Sequence, residues 1–160
     1  MKLRKTRINV PSNSRSTVIG VLDARLADSI DLALLTKQAH WNLRGKRFIA
    51  VHEMLDRFRA ELDANTDTIA ERIVQLGGLA RGTTQAVAEV TTLKPYPLDI
   101  VKIDDHLAAL AERYGKVANE VRAGIAAVEA AGDAATADLL TGYSRALDKA
   151  LCFLEAHIET

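Results

Sequence analysis

The chain has 160 residues, 21 Lys plus Arg against 21 Asp plus Glu, and a formal net charge of zero. That length fits one domain with a sizeable core, and the balance excludes a uniformly basic nucleic-acid binder. The lone cysteine, Cys152, excludes an internal disulfide and a zinc site built from several thiolates.

The first 22 residues carry Lys2, Arg4, Lys5, Arg7 and Arg15 and no acid. This predicts a basic arm over residues 1–15, free to touch phosphates or pinned against its own body, followed by a domain over 16–160. A first helix is expected from Ser16 to Arg44, with Ser14 or Ser16 as cap and Leu22, Leu26, Ile30 and Leu34 on its buried face. Gly45 lies in the segment that ends it. A second helix is expected from Phe48 to Leu76, where Val51, Leu55, Phe58, Leu62, Ile69, Ile73 and Leu76 keep the helical step and Gly77-Gly78 stops it.

Residues 79–103 hold two of the three prolines and are long for a bundle connection, so a crossover containing a short helix is predicted. A third helix follows from Asp104 to Ala130, then a Gly132-Asp133 turn, then a fourth helix to Ile158. Cys152, in the apolar run Leu151–Leu154, is expected to be buried and inert. The fold class is therefore all-α: a four-helix bundle with one long crossover, the plan of ferritin-like folds. No stretch approaches the roughly 20 apolar residues of a membrane helix, nor the apolar block of a signal peptide, so a soluble cytoplasmic protein with no membrane partner is expected.

Chemistry concentrates on the first two helices. His52 and Asp56 are four apart, as are Asp67 and Glu71, and such pairs share a helix face. With His52 at zero on a helical wheel, Asp56 falls near 40°, Asp67 near 60° and Glu71 near 100°. All four lie on one flank, yet His52 and Asp67 are separated by about 22 Å along the axis. One ion cannot touch both pairs in one chain. A two-fold axis near Glu61-Leu62 would bring His52 and Asp56 of one copy to Asp67 and Glu71 of another, making two equivalent sites. His40, at the end of the first helix, would join them. Imidazoles and carboxylates without thiolate suit Fe(II), Mn(II) or Zn(II). Trp41, the only tryptophan, stands beside His40 and is placed to order a ligand or absorb an oxidising equivalent. His106 and His157 have no comparable neighbours, and Met54 and Phe58 read as core.

Three segments resemble the Dps family of mini-ferritins: Thr36–Gly45 (TKQAHWNLRG), Phe48–Asp56 (FIAVHEMLD), and Asp67–Glu71 with Val74–Gly78. Tyr96–Ile100 and Arg145–Lys149 extend the resemblance over residues 16–159. It implies a dodecameric hollow shell of four-helix bundles. It implies oxidation of Fe(II) to Fe(III), preferably by hydrogen peroxide, with the ferric product stored inside and DNA protected as a result. It implies a ferroxidase site of His40, His52 and Asp56 from one subunit with Asp67 and Glu71 from its two-fold mate. It further implies mineral nucleation at Glu53 and an acidic pore lined by Asp133 and Asp138. A place in the bacterial cytoplasm or nucleoid completes what it implies; the alternative function is that of a non-specific DNA-compacting architectural protein that touches DNA through Lys2, Arg4, Lys5 and Arg7 of the basic arm. Two features depart from the family: Cys152 stands where many members have tryptophan, and the basic arm is short.

Overall fold

The computed structural model describes residues 3–158. Its helices are α1 (Ser12–Asn42), α2 (Phe48–Gln75), α3 (Thr84–Val90), α4 (Ile103–Ala130) and α5 (Ala134–Ile158). The four long helices form a bundle in which α1 packs on α2 and α4, and α4 packs on α5. The crossover carries α3, which lies against α1. No helix among the described residues is long and apolar enough to cross a membrane.

Helix ends follow local chemistry. α1 begins four residues earlier than expected, and Ser14 and Ser16 lie inside it. Its N-cap is Pro11, which makes no side-chain cap bond; the Pro11 carbonyl accepts from Arg15 N–H at 2.9 Å. A proline suits the position before a helix because its missing N–H would have had no helical partner there. α2 stops at Gly77, where φ is +90° and an added Cβ would stand 2.6 Å from the Arg4 carbonyl oxygen. Conformation and space therefore both require glycine.

The core is one continuous cluster. Val51, Leu55, Phe58, Leu62, Ile69, Ile73 and Leu76 of α2 and its C-cap are all buried, as the periodicity predicts, and so is Met54. On α1 the expected row runs off the core: Leu22 and Leu26 are buried, Ile30 is half-buried and Leu34 is exposed. A strict four-residue step rotates by about 40° each time, so it leaves the buried arc within three steps. The buried face passes instead through Ser29, Leu32, Ala33, Thr36, Ala39 and His40.

Polar pairs lock the interior. Tyr143 meets Ser29 at 2.9 Å and Tyr114 meets Thr36 at 3.0 Å, so these two buried phenols have hydroxyl partners. Asp28, fully buried on α1, accepts from the Thr92 N–H at 2.8 Å and the Thr92 hydroxyl at 3.1 Å and pairs with Arg25 at 2.9 Å. Arg25 in turn reaches Glu120 of α4 at 2.9 Å. The crossover is thus tied to α1 through charge-assisted hydrogen bonds.

The arm is pinned to the far end of α2. Arg4 N–H donates to Gly77 O at 2.9 Å, and the Arg4 guanidinium donates to Gly78 O at 3.0 Å. Arg15 donates to Leu76 O at 3.0 Å and Val10 O at 3.2 Å. Two cations therefore sit on the terminal carbonyls of α2, the negative pole of that helix. Lys5 and Arg7 are exposed, and Lys2 lies outside the described residues.

Candidate metal centre

α1 and α2 run antiparallel, joined by a tight loop at Gly45, so the last turn of α1 lies beside the first turns of α2. This places His40 against His52 and Asp56, and one ligand atom from each of the three lies within 4.8 Å of the others. The two imidazoles stack, with centroids 3.6 Å apart. Each ring's Nδ1 bonds the other residue's backbone carbonyl at 3.1 Å. A carbonyl can only accept, so both Nδ1 atoms carry hydrogen, and Nε2 is the ring nitrogen through which each imidazole would bind a cation. Backbone carbonyls behind ligand imidazoles fix ring orientation in this way at metal sites generally.

Asp56 is exposed and completes the cluster, with Oδ1 3.4 Å from His40 Nδ1. The same Oδ1 accepts from Lys37 Nζ. That hydrogen bond lowers the Asp56 pKa most, desolvation opposes it, and His40 and His52 add to the lowering, so the carboxylate stays ionised below its usual range. Lys37 lies three residues before His40 on α1 and escaped the sequence reading. Its ammonium occupies one side of the carboxylate that a metal would use.

Asp67 and Glu71 lie farther along α2, both exposed, and do not join this cluster within one chain. Trp41 is 68% exposed beside His40. Leu34, seven residues earlier on the same face of α1, is 47% exposed, so an apolar stripe runs past the site toward α3. Glu53 is exposed on the first turns of α2.

Asp133 and Asp138 are differently placed. Asp138 is exposed on α5, whereas Asp133 is buried. Asp133 accepts the Thr136 N–H at 3.1 Å in the manner of an N-cap, takes the Thr136 hydroxyl at 2.6 Å, and pairs with Arg72 at 2.9 Å. Burial pushes its pKa up, but the two Thr136 bonds and Arg72 outweigh that and hold the carboxyl below its ordinary range. Its carboxylate is thus engaged within the chain, anchoring α5 to α2. The spacing Asp133-x-x-Thr136 before a helix is the sequence signal for that cap. Cys152 is exposed in this chain, contrary to expectation. Leu147, Ala150 and Leu154 take the buried arc of α5, and a four-residue apolar run is wider than that arc.

Comparison with known proteins yields a consistent set of relatives. A ferritin-like domain matches residues 19–160. A DNA protection during starvation protein of Agrobacterium fabrum is 62% identical over 159 residues, covering 99% of this chain and 98% of that one. A protein of the same description from Mycolicibacterium smegmatis is 35% identical over 145 residues, covering 91% and 79%. Among solved structures, the tetragonal form of Mycobacterium smegmatis Dps superposes with a TM-score of 0.94 at 33% identity, covering 98% of this chain and 96% of that one. DpsC from Streptomyces coelicolor gives 0.95 at 29% identity, covering 99% and 93%.

Proposed function

The chain belongs to the Dps family of ferritin-like proteins, and from that membership we propose that it is a ferroxidase that takes Fe(II) to Fe(III) with hydrogen peroxide and stores the ferric product in a dodecameric shell. The observation that carries the reading is the convergence of His40, His52 and Asp56, held by reciprocal backbone bonds and open to a second subunit. Asp67 and Glu71 of a two-fold-related copy supply the missing carboxylates. Two imidazoles and three carboxylates bind Fe(II) as substrate and leave coordination positions for the oxidant. The exposed stripe of Leu34 and Trp41 beside the site supports burial of this face against that copy. Trp41 then closes the site from bulk water. Glu53 serves mineral nucleation and Asp138 cation entry, with Asp133 supporting the pore as the anchor of its helix.

DNA is shielded chiefly because iron and peroxide are removed together. Direct DNA contact through the arm is the second reading; Arg4, Lys5 and Arg7 are all exposed, but the Arg4 guanidinium is engaged by the carbonyl of Gly78. With Arg4 held on α2, contacts of Lys5 and Arg7 would act only through their multiplicity in the assembly.

The test mixes metal-free protein anaerobically with excess Fe(II), adds hydrogen peroxide, follows near-ultraviolet absorbance and tracks iron through size exclusion. Rapid oxidation with ferric iron co-eluting in a shell-sized particle is expected. A His52→Ala, Asp56→Ala double variant should be slower by about a hundredfold. Slow oxidation by the unaltered protein, with iron precipitating outside it, would overturn the ferroxidase reading.

A further inference from the structure

The chain has three tyrosines, and their phenols face different partners. Tyr114 and Tyr143 meet only the hydroxyls of Thr36 and Ser29. A hydroxyl is too weak a base to take a phenol's proton; burial pushes all three phenols, Tyr96 included, far above their ordinary pKa, so the difference lies in the partner. Tyr96, in the crossover, is different. Its Oη lies 2.8 Å from Nδ1 of His106 on α4, and the two rings stack at an interplanar angle of 17°. Both residues are buried. Burial lowers the His106 pKa, with the Ile100 carbonyl and the Asp105 carboxylate opposing. A neutral imidazole at this place accepts the phenol's hydrogen at Nδ1.

This is the geometry of a phenol able to lose an electron and a proton together. An oxidised phenol that keeps its proton is a strongly acidic cation. Here such a cation would lie under the Arg113 guanidinium, whose carbon stands 5.1 Å from the centre of the Tyr96 ring. Like charge disfavours it there, so the electron leaves readily only as the proton moves to His106. Asp105, beside His106 in sequence, favours the imidazolium that results. One backbone bond ties the segment that follows His40 to the crossover. Arg44, four residues beyond His40, donates from its N–H to Val101 O at 2.8 Å, between Tyr96 and His106 in sequence.

We propose that Tyr96 is a one-electron relay in the reaction of iron with peroxide, with His106 as the base that receives and returns its proton. The proposal rests on the ferroxidase reading above. One Fe(II) with hydrogen peroxide and a proton gives Fe(III), water and hydroxyl radical. That radical, with a further proton, takes an electron from Tyr96 and becomes water. The phenol O–H bond breaks, an N–H bond forms at His106 Nδ1, and a neutral phenoxyl faces an imidazolium. A second Fe(II) returns the electron and the proton moves back to the phenol. The sum is two Fe(II), one hydrogen peroxide and two protons giving two Fe(III) and two waters, with both side chains restored. A site holding a single iron is thereby spared from releasing hydroxyl radical.

The test loads metal-free protein anaerobically with one Fe(II) per subunit, adds an equivalent of hydrogen peroxide, and freezes samples within milliseconds for electron paramagnetic resonance. Near-ultraviolet absorbance of the same mixture reports iron oxidation. A tyrosyl radical is expected in the unaltered protein and in a Tyr114→Phe, Tyr143→Phe double variant, which leaves Tyr96 as the only tyrosine. The signal should be lost in Tyr96→Phe and in His106→Gln, which keeps an acceptor but no base, and a spin trap should then capture more hydroxyl radical. A signal that survives Tyr96→Phe, is lost in the double variant, or is missing while iron is oxidised at full speed overturns the relay alone. Absence of rapid iron oxidation overturns the ferroxidase reading, and the relay with it.

Discussion

Lys37 competes with any cation for Asp56. The pair is partly exposed, with side chains 25% and 50% accessible, so solvent screens it and its hold on the carboxylate is weak. Lys37→Met should therefore tighten Co(II) binding to the metal-free protein by about threefold, read by visible-absorption titration. Unchanged or weaker binding would remove Lys37 from that role. His40, His52 and Asp56 were legible in the sequence because a spacing of four on a helix fixes shared faces, and the loop at Gly45 is short enough to force antiparallel return. Lys37 obeys the same rule, at three residues from His40, but a lysine on a helix is ordinarily solvated, so nothing in its type marked it. Tyr96 and His106 were not legible as a pair, because the crossover's path decides that contact and no periodicity encodes it. Cys152 misled for a simpler reason: apolar neighbours in sequence straddle two sides of a helix.

The first two long helices were visible from apolar recurrence and the glycines that follow them, the last two from the Gly132-Asp133 turn that divides them, and the short helix in the crossover from length and composition. What seats the crossover was not visible. Its Thr92 docks on Asp28 and its Thr91 on Asp31, and the position of Asp28 in the middle of α1 gave no hint of a buried acceptor. Asp28→Ala would strand the Thr92 N–H and leave Arg25, itself 6% exposed, without one of its two counter-charges, both of which stand at 2.9 Å. A loss of about 3 kcal/mol is expected, measured by denaturant unfolding. Loss of less than about 1 kcal/mol would mean that Glu120 alone satisfies Arg25. Leu34 teaches the complementary lesson. A row of leucines chosen by a constant step looked like core, but its last member lies on the exposed side, beside Trp41, where a second copy is expected to cover it.

For the molecule as a whole, the division of the proposed site between two copies has a quantitative signature. Subunits carrying His52→Ala with Asp56→Ala lack one half of each site, and subunits carrying Asp67→Asn with Glu71→Gln lack the other. Either alone should be inactive in iron oxidation. In equal, random co-assembly half of the two-fold pairs are mixed, and each mixed pair has one complete site of two, so about a quarter of the unaltered activity should return. No recovery in verified mixed assemblies would argue that the halves do not meet. The arm bears on how another experiment should be read. Arg4 and Arg15 rest on the end of the helix that carries Asp67 and Glu71. Deleting the first nine residues to probe DNA contact therefore also uncaps the helix that carries both halves of the proposed site. A deletion phenotype in iron chemistry would report a frayed helix end, and a Lys5→Ala, Arg7→Ala substitution isolates the nucleic-acid question because it leaves that end covered.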